Sequence, residues 1–245
     1  MPFATIGFPE LDTVKTLVPA MVRAGADIVE LGVPFSDPLA DGVTVQRASS
    51  KALENGITRA MCFEAARAIR VQTDAPLIFM GYYNPVFSYG VQRYVQEAAQ
   101  SGVDGLIIPD LSPEEAGEVV TACREAGLDY IFLLAPTSTD ERIQQVAKLA
   151  SGFIYCVSVV GVTGARATLP DYLPDFLARI RKHTDLPLVV GFGISQPEHV
   201  AAVGKIADGV VVASALINII EAAPASERIE AATNYIKYLK SELKQ

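Results

Sequence analysis

Three carboxylates stand close together in the segment ELGVPFSDPLADG: Glu30, Asp37 and Asp41. Glu30 interrupts the apolar run 28–32, and a carboxylate inside such a run needs a reason. Either it is a buried structural carboxyl satisfied by hydrogen bonds, or it is a general acid/base whose pKa burial raises towards neutrality. Asp37 precedes Pro38 and Asp41 precedes Gly42, so each also reads as an ordinary turn aspartate. Together the three are hard oxygen donors of the kind that hold a divalent cation. The two histidines, His183 and His199, are placed at the end of one helical stretch and inside another, at the surface rather than as ligands. No metal is assigned to the chain.

A second group of residues has the chemistry of an anion site. Gly191-Phe192-Gly193-Ile194-Ser195 and Ala213-Ser214 each follow an apolar run late in the chain, and a helix is predicted to start at Ser214. Gly193 lets backbone N–H groups approach a phosphate, and the helix starts after Ser195 and Ser214 add partial positive charge. Thr163-Gly164 is placed to close over the same phosphate. The alternative is that these are turn glycines and nothing more.

Those residues are positioned by a repeated pattern of elements. Eight short apolar runs occur, at 3–7, 28–32, 77–81, 105–108, 130–134, 153–157, 188–191 and 209–213. They are continuous rather than alternating, as strands buried on both faces of a parallel sheet are. Between them lie stretches of helical spacing: 11–24, 45–55, 59–72, 90–100, 113–126, 139–149, 170–183, 197–205 and 225–242. Ser112-Pro113-Glu114-Glu115 and Ser195-Gln196-Pro197-Glu198 carry helix-start signals. The segments AGADIVELG, SGVDGLIIPD, AGLDYIFLLAP and IADGVVVAS share one order: a small residue ends a helix, Asp follows, and a strand begins. Eight such units in 245 residues without a composition break predict one (β/α)₈ TIM-barrel domain over 1–245. The doubly wound open sheet is the alternative, but Gly7 is followed by Phe8-Pro9 where that fold has a glycine-rich turn. In a barrel the functional residues belong to the loops at the C-terminal ends of the strands, which is where Glu30–Asp41, Tyr82-Tyr83-Asn84-Pro85, Asp110 and the two glycine loops fall.

The net charge of −8 argues against nucleic acid or an anionic membrane as main partner, since both need a basic face. Cys62, Cys123 and Cys156 are odd in number and lack metal-ligand spacing, so they read as reduced core thiols of a cytoplasmic protein. The start MPFATIGFPE lacks the basic and apolar regions of a signal peptide, and no apolar run reaches the ~18 residues of a membrane span.

The run ELGVPFSDPLADG with Thr44-Val45-Gln46, then Tyr83-Asn84-Pro85, Pro109-Asp110-Leu111, Gly161-Val162-Thr163-Gly164 and Gly191-Phe192-Gly193-Ile194-Ser195, closely resembles the signature of the tryptophan synthase α subunit family. The motifs occur in the family's order over essentially the whole chain. The resemblance implies retro-aldol cleavage of indole-3-glycerol phosphate to indole and glyceraldehyde 3-phosphate, with no cofactor in this chain. Glu30 matches the family's acid/base and Asp41 its second catalytic carboxylate. Tyr155 matches a residue of the indole pocket, and Phe192 one near the phosphate and glycerol. Thr163 matches a lid residue that bonds the loop carrying Asp41, and Gly164, Gly193, Ala213 and Ser214 fall at the phosphate site. Pro34, Ser36, Asp37, Pro38, Asn84 and Asp110 fall on loops that the family uses to meet a pyridoxal-phosphate (PLP) β subunit in an α2β2 assembly, the PLP belonging to that partner.

Three features depart from the family pattern. Val43 stands where Pro is usual after ADG, and Ala213 stands where Gly usually precedes the phosphate-site Ser. The chain as given begins at the first strand, so the usual N-terminal helix over the barrel floor is expected to be lacking. Two other readings follow: a stand-alone indole-3-glycerol phosphate lyase, or a weakly active chain that mainly activates a β subunit.

Overall fold

A computed structural model describes residues 1–157, 170–191 and 193–244. Eight strands, β1 (Phe3–Thr5), β2 (Val29–Gly32), β3 (Leu77–Met80), β4 (Gly105–Ile107), β5 (Asp129–Leu134), β6 (Ile154–Val157), β7 (Leu188–Gly191) and β8 (Gly209–Val211), pair in parallel in sequence order. A bridge between Pro2 and Val212 joins the last strand to the first, with Phe3 N–H donating to Val212 O at 2.9 Å. The predicted barrel is therefore the observed one, and all eight apolar runs are strands.

Around it lie α1 (Thr13–Arg23), α2 (Val43–Glu54), α3 (Arg59–Arg70), α4 (Tyr83–Tyr89), α5 (Val91–Gln100), α6 (Gly117–Ala126), α7 (Asp140–Leu149), α8 (Leu173–Arg181), α9 (Pro197–Val203), α10 (Ser214–Ala222) and α11 (Arg228–Leu239). Successive strand side chains point to opposite faces. One set, including Ile78, Ile107, Ile131, Phe153, Val189 and Val211, fills the barrel. The other, including Leu77, Phe79, Leu106, Tyr130 and Phe132, packs outward with the helices.

In two of its four copies the aspartate of the repeated helix-to-strand turn has a structural reason beyond the turn. Gly102 ends α5 at φ +81°, and a Cβ there would lie 2.6 Å from the Arg70 side chain. Asp104 then accepts the Leu77 N–H at 2.7 Å and pairs with Arg70. Asp208 does the same with Leu188 N–H (2.8 Å) and Arg181. Each aspartate thus satisfies the first amide of the neighbouring strand at the N-terminal end of the barrel, where strand N–H groups would otherwise lack acceptors. That end opens on an apolar cavity of about 560 Å³, lined by Ile78, Ile131, Phe153, Val189, Ile236 and Leu239. The first described element is β1.

Two helix assignments change. Residues 83–89, read as loop, form α4. Pro85 is compatible with this because it stands in the first turn, whose N–H groups have no intrahelical acceptor. The helix expected from Pro113 begins regularly only at Gly117. Ser112 O accepts from both Glu115 and Ala116 N–H, which tightens the first turn.

Candidate active site

β2 carries Glu30 into the barrel beside Phe3 and Ile78 in register. The residue is only 1% exposed, and among the described residues neither carboxylate oxygen has a hydrogen-bond partner. The reading of Glu30 as a hydrogen-bonded structural carboxyl therefore lacks its partners. Burial, with the Asp41 charge second, pushes its pKa up to about 8. At neutral pH Glu30 is a carboxylic acid facing an apolar space. Gly32, two residues on, makes room: a Cβ there would lie 2.4 Å from the Phe3 ring.

Asp41 is held by its backbone on both sides. Its N–H donates to Pro38 O at 3.1 Å, and Gln46 Nε2 donates to its carbonyl at 2.8 Å. The Tyr82 hydroxyl accepts the Ala40 N–H, next to Asp41, at 3.0 Å. Burial raises the Asp41 pKa to about 6, against the opposing pull of Tyr82. Asp41 is mostly anionic at neutral pH while Glu30 is mostly protonated.

Tyr155 on β6 completes the group. Burial, then the charges of Glu30 and Asp41, hold its hydroxyl well above its ordinary value, so the hydroxyl lies within electrostatic reach of both carboxyls. A Cβ on Gly191 would lie 2.6 Å from the Tyr155 ring, so only glycine leaves the ring in place. Three residues from β2, the following loop and β6 therefore converge on one mouth of the barrel.

The anion-site residues fall on the same end. Gly193 has φ +33° and open space where a Cβ would be. Its loop is held from below, with Ser195 N–H donating to His199 Nδ1 at 3.4 Å and Tyr235 Oη donating to Ser195 O at 3.1 Å. Ser214 is the first residue of α10, and no side chain caps that helix start. Its first-turn N–H groups are free of intrahelical acceptors, as an anion site requires. Ala213 holds the cap position at φ −117°, ψ −81°, outside the left-handed region that favours glycine. Thr163, Gly164 and Phe192 lie outside the described residues.

His199 corrects an expectation. It was placed at the surface, but it is buried, because α9 packs that face inward and its Nδ1 supports the Gly193 loop. The three cysteines are buried thiols, as read. Among the described residues no group of three or more His, Cys, Asp or Glu is arranged to hold a metal.

Of the residues assigned to a partner face, Ser36, Asp37, Asn84 and Asp110 are exposed, while Pro34 and Pro38 are half-buried. Ser36 Oγ donates to Asp37, and Asp110 accepts the Tyr83 N–H at 2.9 Å. Sequence reasoning missed three apparent members of this end. Leu39 is 93% exposed and Phe87 64% exposed, and both follow strand C-termini. Tyr82 was noted only as loop. An isolated Leu in a polar loop was the available signal for Leu39; Phe87 lay in the unrecognised α4. Val43 is the first residue of α2, where Pro is favoured but not required, and it is exposed.

The family model for the tryptophan synthase alpha chain matches residues 1–245. The tryptophan synthase alpha chain of Roseiflexus sp. (strain RS-1) is 55% identical over 241 residues, covering 98% of this chain and 92% of the relative. That of Dehalococcoides mccartyi (strain BAV1) is 49% identical over 241 residues, covering 98% of this chain and 93% of the relative. The crystal structure of tryptophan synthase subunit alpha from Legionella pneumophila str. Paris superposes with a TM-score of 0.90 at 36% identity, covering 99% and 91%. A structure concerned with mutual activation of the Pyrococcus furiosus tryptophan synthase α2β2 complex gives 0.88 at 37% identity, covering 100% and 97%. With the carboxyl pair, the barrel and the full-length match in agreement, this chain belongs to the tryptophan synthase alpha chain family.

Proposed function

We propose that this chain carries out its family's lyase reaction, the retro-aldol cleavage of indole-3-glycerol phosphate, with Glu30 and Asp41 as the catalytic groups. One observation carries the reading: two carboxyls of unlike protonation, with pKa values of about 8 and about 6, face one barrel mouth beside Tyr155. Pairs whose environments push their pKa values apart are how acid and base roles are divided.

The chemistry needs a proton on indole C3 and the loss of one from the glycerol hydroxyl. Protonated Glu30 gives its proton to C3. The resulting carboxylate then takes the hydroxyl proton as the carbon–carbon bond breaks, releasing indole and the aldehyde of glyceraldehyde 3-phosphate. Glu30 ends as the acid it began as. Anionic Asp41 accepts the indole N–H and stabilises the positive charge that develops on the ring. Tyr155 lines the indole side. Gly193, Ser214 and the backbone at Ala213 bind the phosphate, with Gly164 and Phe192 contributing from outside the described residues. Thr163 reaches the Asp41 loop as a lid contact. No cofactor is assigned to this chain.

Exposed Leu39 and Phe87, on the same end as Asn84 and Asp110, favour action with a partner over the stand-alone reading. The proposed partner is a PLP-bearing β subunit in an α2β2 assembly, in the cytoplasm, meeting this chain through Pro34, Ser36, Asp37, Pro38, Asn84 and Asp110. The test is indole release from indole-3-glycerol phosphate, measured with and without a β subunit, for wild type, Glu30→Gln and Asp41→Asn. Both variants should lose at least a hundredfold in turnover; near-wild-type release by either would defeat the assignment.

A further inference from the structure

Asp41 and Asp110 belong to different loops, after β2 and after β4, yet both loops are hydrogen-bonded to one dipeptide. Tyr82 and Tyr83 stand side by side where β3 passes into α4. The Tyr82 hydroxyl accepts the Ala40 N–H at 3.0 Å, one residue from Asp41, and acts to lower the pKa of the Asp41 carboxyl. The next backbone N–H, that of Tyr83, donates to Asp110 Oδ1 at 2.9 Å. We propose that Tyr82 is a positioning residue for Asp41, and that Asp110, by holding the Tyr83 amide, sets where the Tyr82 hydroxyl presents itself. This rests on the reading of Asp41 as a catalytic carboxylate and adds to it a route from the partner-facing end.

The physical case is one of restricted freedom. Tyr82 is 5% exposed, and its ring packs on Phe35 with centroids 5.4 Å apart. Phe35 belongs to the same loop that carries Ala40 and Asp41. The ring is thus fixed by packing and the hydroxyl by the Ala40 N–H, so the loop that carries Asp41 is anchored on Tyr82. Asp110 itself is exposed, and Tyr83 half-buried, so the outer contact lies where a docking protein can reach it. Rotation of the peptide between Tyr82 and Tyr83 moves the amide that Asp110 holds together with the backbone that carries the Tyr82 ring. A change at Asp110 therefore reaches Tyr82 through one hydrogen bond and one peptide link, and the Asp41 loop through the Tyr82 hydroxyl.

The groups facing Asp41 among the described residues are Glu30 from β2, Tyr82 from the β3–α4 junction and Tyr155 from β6. The Asp110 charge reaches Tyr82 from the β4 side. A hydrogen bond from Tyr82 favours the anion of Asp41, so its loss raises the pH at which Asp41 titrates.

The test reads that titration without relying on turnover. The full-length chain is labelled with ¹³C at aspartate carboxyls, and the Asp41 resonance is assigned by its disappearance in Asp41→Asn. Tyr82→Phe keeps the ring against Phe35 and should raise the Asp41 midpoint by about one pH unit, the scale of one lost charge-assisted hydrogen bond. Asp110→Ala should raise it in the same direction. Asp110→Asn keeps an acceptor for the Tyr83 amide and should leave it near wild type. Removal of the Asp110 charge acting only through space would lower the midpoint in both Asp110 variants, and that result overturns the inference. So does an unmoved midpoint in Tyr82→Phe. Both readings hold whether or not Asp41→Asn abolishes indole release, so failure of the catalytic assignment is seen separately, in that variant's turnover.

Discussion

The unpartnered carboxyl of Glu30 should leave a signature on folding stability. In the unfolded chain its proton leaves near 4.5, whereas burial raises the folded value to about 8. Between those pH values the folded state binds a proton that the unfolded chain has released. Stability therefore falls as pH rises through this window, and the loss is complete above pH 8. At about 1.36 kcal/mol per pH unit, the window from 4.5 to about 8 corresponds to a ceiling of roughly 5 kcal/mol. That is comparable with the whole stability of many domains, about 5–15 kcal/mol. Glu30→Gln has nearly the same shape and no charge to bury. Urea denaturation of both proteins from pH 5 to about 9.5 isolates the effect, because every other titrating group is common to them. The variant should gain on wild type steadily with pH, by several kcal/mol at the alkaline end, while losing indole formation. A stability difference that stays constant across this range would refute the account of Glu30 as a buried, neutral acid.

Turnover should follow a bell in pH, since Asp41 must be anionic and Glu30 protonated, with limbs near 6 and 8; a profile flat from 5 to about 9 would contradict the assignment of roles. Asp41→Asn removes a charge that raises the Glu30 value, so a pH titration of the Glu30 carboxyl by ¹³C NMR should show its midpoint lowered in that variant. Gly191→Ala puts a methyl group 2.6 Å from the Tyr155 ring and should weaken binding of an indole-bearing substrate analogue while costing about 1–3 kcal/mol in stability, both read from ligand titration and thermal melts. Leu39→Asp places a charge on a side chain that is 93% exposed, so stability should hold within about 0.5 kcal/mol. Its loss should appear only as weaker association with a β subunit, measured by sedimentation or calorimetry.

How much of this was legible beforehand differs from residue to residue. Eight apolar runs mark eight strands because a strand covered on both faces needs no polar alternation, and that pattern is local. Glu30 stood out for the same reason, as the one charge in such a run. The repeated order of small residue, Asp and strand marked the turns, though the acceptor role of Asp104 and Asp208 needed the neighbouring strand to be seen. α4 was hidden because Asn84-Pro85 reads as a turn, and proline in a first helical turn leaves no local trace. His199 looked like a surface residue until α9 was packed against the barrel.

The carboxyl pair divides along the same line. The chain by itself determined that Glu30 sits in a strand and Asp41 in the loop after it, since short-range order and residue type decide both. It did not determine that Tyr155, more than a hundred residues later, would share their space, or that Tyr82 would hold Asp41. Those follow from strand register and the closing of β8 onto β1, which bring together residues that no local pattern connects. The protonation states belong there too. A pKa is set by desolvation and by neighbouring charge, and only the folded barrel supplies either.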